Sequence, residues 1–510
     1  MINDSNQRKF GVIFSYLSII ISTVIQLVYT PLLIRMLGQS EYGLYSLINS
    51  VIGYLTVLDL GFGNAIVVYT SKYRAQQKYD EEKKLHGMFF IVFCIIAMIV
   101  GILGIILYFN VEKMFGKTMT DIEIHKAKIM MLILTFNLVI TFIFTIYSSI
   151  LTAYEKFVYQ KVMSILNTIL KPVIMIPLLF MGYKSIAMVV VITIVNIAIL
   201  ISNYLYCRNR LNIRIKYRGF DKVVFKTILG YSIWLFLSSI VDKVNWSVDQ
   251  FVLGAVSGTI AVSIYSIASQ INTLFINLST AISGVFLPKM SKMISNDASS
   301  EVLTNEFIKV GRIQFYIMFL ITSGFVVFGK EFIILWAGRE YIESYYVTLC
   351  LILPALFSLI QNLGLSIMQA MNKFRFKAII TTIMSGFNII ISIFLSKRFG
   401  AIGAALGTTI SLVICNIIII NIYYYKIIKI NVIKFWKIIF NMFIKLLCSL
   451  IIVLILMQII KLNGFKFILT FGTIYVILYF IVAYKFVMNQ YEKELTNTIL
   501  KKFIKIKEKK

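Results

Sequence analysis

Charge is scarce in this sequence, and so are the residues that build chemistry around it. Of 510 residues only 14% are Asp, Glu, Lys or Arg, the acidic residues number 22, and there are two histidines, five prolines and five cysteines. His86 and His125 read as parts of charged loops, which leaves no histidine cluster to hold a metal or to pair with a nucleophile. Cys94, Cys207, Cys350, Cys415 and Cys448 lie in or at the ends of apolar runs with no C-x-x-C spacing, which argues against disulfides and metal sites and for small core residues. Neither a metal nor a cofactor is expected. Pro31, Pro172, Pro177, Pro288 and Pro354 all fall in or at the ends of apolar runs, where they bend helices rather than shape loops.

What fills the chain instead is apolar. It is 59% hydrophobic with a mean hydropathy of +0.87, more apolar surface than soluble domains of ordinary size can hide, so lipid is its solvent. A window of about 20 apolar residues per span places helices at 11–34, 42–70, 86–109, 127–152, 160–181, 185–206, 227–256, 259–289, 311–330, 343–371, 378–396, 401–425, 437–460 and 466–488. The expected fold is an all-α polytopic membrane protein with about 14 transmembrane helices. The first run, residues 10–37, is too long for a signal-peptide core and has no small-residue cleavage pattern behind it, so it reads as an uncleaved span. Connections are short, the longest on one side being residues 110–126, which leaves no room for an ectodomain or a catalytic domain.

The net charge of +28 invites a nucleic-acid reading, but that requires a soluble basic face. Here the cations sit in loops, and alternate loops differ. The N-terminus with Arg8 and Lys9, residues 72–84, 156–161, 208–226, 289–312, 373–377 and 426–437, and the tail 485–510 together hold 35 Lys and Arg. The intervening loops hold 12. By the positive-inside rule the richer side, with both termini, is cytoplasmic. Membrane lipids, not nucleic acid, are the partners that this charge implies.

The chain also matches itself. A shift of 220 residues lays Leu44-Tyr45-Ser46-Leu47 on Ile264-Tyr265-Ser266-Ile267, Gly38 on Gly258, and Ser71-Lys72 on Ser291-Lys292. A shift of 217 lays Ala153-Tyr154-Glu155-Lys156-Phe157 on Ala370-Met371-Asn372-Lys373-Phe374. Both matches fall at the same stage of a six-span unit and predict a duplication. Six is even, so the copies share an orientation and an axis along the membrane normal. The expected organisation is two pseudo-symmetric six-helix lobes, residues 1–207 and 227–430, joined by a basic linker at 208–226. An appended helix pair at 431–488 and a basic cytoplasmic tail at 489–510 complete it.

In hydrocarbon, a polar side chain survives where it faces protein or water. Four spans carry polar residues every three or four positions: Ser15, Ser18, Ser22, Gln26 and Tyr29 in the first; Asn49, Gly53, Thr56, Asp59 and Gly63 in the second; Ser238, Asp242, Asn245 and Asp249 in the seventh; and Gln270, Thr273, Asn277, Thr280 and Gly284 in the eighth. These are the first two spans of each repeat. Such stripes either line a polar cavity or let helices pack closely. Asp59, Lys171, Asp242, Lys243, Asp249 and Lys445 are ionisable residues inside spans. Asp59 is either an acid for a coupling cation or one half of an ion pair with Lys171 or Lys243. Lys171, one turn from Asn167 and beside Pro172, either attracts an anion or neutralises an acid. Asp242 and Asp249 share a face two turns apart, whereas Lys445 is near enough to a span end to snorkel.

The run Pro31-Leu32-Leu33-Ile34-Arg35-Met36-Leu37-Gly38-Gln39-Ser40-Glu41-Tyr42-Gly43-Leu44-Tyr45-Ser46, followed by Asp59-Leu60-Gly61-Phe62-Gly63-Asn64, resembles the start of bacterial oligosaccharide flippases of the Wzx-like branch. That branch belongs to the multidrug/oligosaccharidyl-lipid/polysaccharide exporter superfamily. Asp249 before a Leu-Gly pair, Gly258, and Tyr265-Ser266 are similar to that family's second-half entry. The resemblance implies a non-enzymatic flippase in the bacterial cytoplasmic membrane. It would move a polyprenyl-pyrophosphate-linked oligosaccharide outward for O-antigen, capsule or exopolysaccharide assembly, by alternating access. Spans 1, 2, 7 and 8 would line the cavity, and spans 13 and 14 would offer a groove for a lipid tail. Arg35, Lys171 and Lys243 are the candidates for the pyrophosphate or acidic sugars. Asn49, Asn245, Trp246, Gln270 and Asn277 are the candidates for sugar contacts, and Asp59, Asp242 and Asp249 for coupling to H+ or Na+. Other membrane proteins of polysaccharide assembly are expected partners. A cation-coupled multidrug exporter of the same superfamily is the alternative. A membrane-embedded polysaccharide polymerase fits less well, because it needs an outer loop with acid/base residues.

Overall fold

The computed structural model describes residues 4–216, 222–283, 286–371, 373–460 and 462–507, and among these the chain is almost wholly helical. The helices are α1 (Asp4–Leu37), α2 (Gln39–Leu55), α3 (Phe62–Ala75), α4 (Tyr79–Phe115), α5 (Asp121–Ala153), α6 (Phe157–Phe180), α7 (Ser185–Asn209), α8 (Lys222–Val256) and α9 (Gly258–Ser283). They continue as α10 (Leu287–Ser295), α11 (Ser300–Trp336), α12 (Glu343–Leu359), α13 (Asn362–Ala370), α14 (Phe374–Leu412), α15 (Ile420–Tyr423), α16 (Val432–Ile459), α17 (Gly464–Val482) and α18 (Gln490–Lys507). Among the described residues 11 helices are long and apolar enough to cross a membrane, or 12 if α12 and α13, bent by 47°, form one span. About fourteen spans remain compatible with this. The stretch Phe374–Ile428 holds two expected spans, and much of α8 lies outside the described side chains.

Helices overrun the apolar windows at several ends. At 37 residues α4 is about 55 Å long, well beyond a hydrocarbon core of about 30 Å, so its first turns stand clear of the bilayer. This corrects the reading of His86. It lies inside α4, not in a loop, and is 1% exposed with Nε2 3.1 Å from the Thr70 hydroxyl. The loop expected at 110–126 likewise shrinks, because α4 runs on to Phe115 and α5 starts at Asp121 behind a Thr120–Glu123 capping box.

The chain forms two compact units, Met1–Ile267 with Ser385–Gly407, and Ala268–Met384 with Thr408–Lys510. In the first, Phe89, Phe93, Val100 and Phe115 of α4 and Met130, Met131, Phe142, Ile146 and Ile150 of α5 are buried. Gly104 lets the two helices close on Thr135, while Ile95, Met98, Ile102 and Phe109 stay exposed on the opposite face. An apolar face left exposed along a span is a lipid face. At Gly400 (φ 52°, ψ −131°) the chain doubles back, so that Gly403 and Gly407 pack onto Leu395 and Ser392. A Cβ on Gly403 would overlap the Leu395 carbonyl oxygen. Gly403→Val is expected to cost about 1–3 kcal/mol as an overpacked contact, read as a lower Tm in detergent.

The second unit is built on aromatic packing: Phe307, Phe315, Phe319, Tyr424, Phe435, Phe471, Tyr475 and Tyr479 form one buried cluster. Helix α16 joins it through Phe435, Ile439, Met442 and Leu446, and α17 through Tyr479, whose hydroxyl donates to the Tyr316 carbonyl at 2.8 Å, and Tyr475, 2.5 Å from Ser323 Oγ. Lys445 is exposed, and its ammonium donates to the Phe486 carbonyl at 3.3 Å, where a π-helical turn (Ala483–Val487) frees backbone oxygens.

The repeat is written in the backbone as well. Gly38 (φ 81°) and Gly258 (φ 83°) occupy the same left-handed position at the starts of α2 and α9. Gly182 (φ 86°) and Gly400 (φ 52°), 218 residues apart, sit at the turns into the sixth span of each half. Positive φ suits glycine, since a Cβ would be strained there.

Candidate functional site

The second span is discontinuous, and the break carries its acid. Helix α2 stops at Leu55, a 3-10 turn (Thr56–Asp59) follows, and Leu60 (φ 55°) and Gly61 (φ 71°) reverse the backbone before α3 starts at Phe62. The Asp59 carboxylate accepts hydrogen bonds from the N–H groups of Gly61 and Gly63. It thereby satisfies donors that a new helix start leaves open. Gly63 lies close to both partners: a Cβ there would stand 3.8 Å from Asp59 Oδ2 and 3.4 Å from Ser149 Oγ. Among the described residues no salt bridge joins Asp59 to Lys171 or Lys243.

Lys243 of α8 lies against Gly53 of α2, where a Cβ would sit 3.0 Å from its Nζ and 3.2 Å from its Cε. Gly53 thus makes room for the lysine stem, and Asn49, one turn earlier, is exposed. Lys171 is half-buried in α6, one turn from Asn167, whose Oδ1 is buried with no hydrogen-bond partner. Neither lysine has a carboxylate partner among the described residues. Asp249 is 2% exposed and accepts from the Tyr265 hydroxyl at 2.5 Å, which places it in the interior of the first unit. Arg35 is exposed at the end of α1. In the second unit Thr273, Asn277 and Thr280 of α9 are exposed and Gln270 is half-buried. The Thr273 and Thr280 hydroxyls donate back to the Ser269 and Asn277 carbonyls of the same helix, at 2.8 and 3.1 Å. The side chains of Ser15, Ser238, Asp242, Asn245 and Trp246, and Gly284 as a whole, lie outside what the structure describes.

A second cluster escaped the sequence reading. At the end of the first unit where α2, α5, α7 and α9 begin, Glu41 pairs with the Lys126 ammonium and accepts from the Ser185 hydroxyl. Beside it Glu123 accepts from Ser40 Oγ at 2.6 Å, Thr259 Oγ1 at 2.7 Å and Thr120 N at 2.9 Å. Thr118 Oγ1 donates to the Gly254 carbonyl at 2.6 Å. At Gly43 the backbone of α2 presses so closely on α9 that a Cβ would overlap the Thr259 carbonyl oxygen. These contacts clasp four helix starts together, with Thr259 and Gly254 coming from the stretch that the sequence reads as the second repeat. The cluster is not legible in the sequence, because its pairings lie 83 to 144 residues apart.

Residues 9–294 match the model of a family described as polysaccharide biosynthesis protein. The chain belongs to that family. A Shigella flexneri protein provisionally described as an O-antigen transporter is 22% identical over 406 residues, which cover 77% of this chain and 92% of that protein. Capsular polysaccharide biosynthesis protein CapF of Staphylococcus aureus is 29% identical over 224 residues, 43% of this chain and 55% of its own length. Among solved structures, the lipid II flippase MurJ in an inward closed conformation superposes with a TM-score of 0.72 at 20% identity, covering 92% of this chain and 98% of MurJ. An inward-facing multidrug resistance MATE family transporter of the MOP superfamily gives 0.63 at 13% identity, covering 78% and 96%. The fold of this family member is therefore that of MurJ and the MATE transporters.

Proposed function

We propose that this protein is a flippase that carries a polyprenyl-pyrophosphate-linked oligosaccharide from the cytoplasmic to the outer leaflet for cell-surface polysaccharide assembly. The observation that carries this reading is the pair of ammonium groups, Lys171 and Lys243, held in apolar helices without acidic partners among the described residues. A cation inside a span costs some 2.5–3.5 kcal/mol at mid-bilayer, and a diphosphate head returns that cost through charge-assisted bonds. The relatives' descriptions as O-antigen transporter, capsular biosynthesis protein and lipid II flippase support the same substrate class. The MATE likeness brings in the drug-exporter reading, but an organic cation gains nothing from two bare lysines.

The excess of Lys and Arg in alternate loops supports cytoplasmic termini. The lobes are then residues 1–207 and 227–430, with 208–226 as the linker and 431–488 as the added pair. In this orientation the clasp around Glu41 and Glu123 closes the outer end, and its release opens the path outward. Asn49, Gln270 and Asn277, with Asn245 and Trp246, contact sugars, and Arg35 meets the head as it leaves. Asp59, Asp242 and Asp249 are the groups for H+ or Na+ coupling.

The test is translocation of a lipid-linked oligosaccharide in vesicles holding the full-length protein. Lys243→Gln is expected to slow it roughly tenfold or more, as loss of a hydrogen bond to a charged group worth about 1.5–3 kcal/mol requires. A wild-type rate no faster than in protein-free vesicles sinks the flippase reading.

A further inference from the structure

Helix α18 begins three residues after the π-helical end of α17 at Val487, so it starts where the last span leaves the bilayer. Its root is fixed with unusual care for a chain end. Arg312 Nε and Nη2 grip the two Glu492 oxygens at 2.6 and 2.7 Å, and Nη2 also reaches the Val487 carbonyl at 3.0 Å. The Tyr316 hydroxyl donates to Glu492 Oε2 at 3.0 Å, and Asn489 and Glu492 cap each other at 2.9 Å. Glu492 is 4% exposed, and Lys309 Nζ lies 3.8 Å over the Tyr491 ring. A bidentate, buried grip of this kind fixes direction as well as position.

Beyond the root, apolar and basic residues alternate with helical spacing. Tyr491, Leu495, Ile499, Phe503 and Ile506 recur every three or four positions, and Tyr491 and Leu495 are 45% and 42% exposed. Seven lysines, 493, 501, 502, 505, 507, 509 and 510, stand in this segment against three glutamates, one of which Arg312 occupies. Apolar residues at one edge with long cationic side chains around them make a helix that lies in a membrane interface and prefers anionic lipid. We infer that α18 is an interfacial foot, held by the Arg312–Glu492 grip, that binds the anionic phospholipid leaflet on the side where α17 ends. Charge complementarity and the two-residue tether to a span favour this occupant over a soluble acidic protein. In the proposed orientation that leaflet is cytoplasmic, but the foot does not depend on transport.

The test is hydrogen exchange across residues 490–507 of the full-length protein, in nanodiscs of phosphatidylcholine alone and with about one-third phosphatidylglycerol. The anionic discs are expected to slow exchange roughly tenfold or more, and 1 M salt, with a Debye length of about 3 Å, is expected to remove the difference. Replacing Lys501, Lys502, Lys505 and Lys507 with Gln should abolish it while leaving the Tm unchanged. Arg312→Ala should loosen the root in both discs. Equal exchange in the two lipids, or protection seen only in native membranes and in neither disc, overturns the inference; the second outcome points to a protein partner.

Discussion

Gly43→Val is expected to stop export while leaving a folded protein in the membrane. A side chain at this position meets the Thr259 carbonyl, a backbone atom that cannot swing aside, so the starts of α2 and α9 must move apart. Overpacking of this kind costs about 1–3 kcal/mol. If the clasp opens and closes as proposed above, that cost corresponds to a 5- to 150-fold shift of population away from the clasped form. The measurement pairs surface glycan with solvent accessibility of a cysteine at position 259. Accessibility should rise as glycan falls, and Gly43→Ala should give a smaller effect of the same sign. Undiminished glycan in the valine variant would show that this close approach is not part of the cycle.

Glu41→Ala should act in the same direction by a different force. It leaves the Lys126 ammonium without its carboxylate and the Ser185 hydroxyl without its acceptor. Removing one member of a buried pair costs about 3–5 kcal/mol, and because Lys126 keeps 29% of its side chain in contact with solvent, about 2–3 kcal/mol is the fitting figure here. The Tm in detergent should fall, and the Glu41→Ala/Lys126→Ala double variant should recover part of the loss. A double variant no better than the single would mean that the two charges are not coupled.

The membrane fold was readable because lipid enforces length and apolarity on every span, and of the residues matched by the 220-residue shift Gly38 and Gly258 share a positive φ. The site was readable only in part. Lys171 and Lys243 announce themselves, since a charge in an apolar run has few reasons to persist. Glu41 and Lys126 do not, for each sits at a helix start, where a charged residue is commonplace, and nothing local pairs residues 85 positions apart. Asp59 presented the opposite difficulty. The sequence offers it a coupling cation or an ion pair with Lys171 or Lys243, and only in the structure do the N–H groups of Gly61 and Gly63, directly after it, come forward as its partners. His86 reads as a loop residue because its neighbours are charged, yet α4 carries it inward before the apolar stretch begins.

The placement of Asp59 has a mechanical consequence. Its carboxylate is the peg that fastens one half-helix to the next across the two left-handed residues Leu60 and Gly61. A proton or metal cation on those oxygens would weaken the hold of the two N–H groups by neutralising the charge that attracts them. Were Asp59 to take up the coupling cation proposed above, occupancy of the acid and the angle of the joint would be linked, each shifting the other by the same free energy.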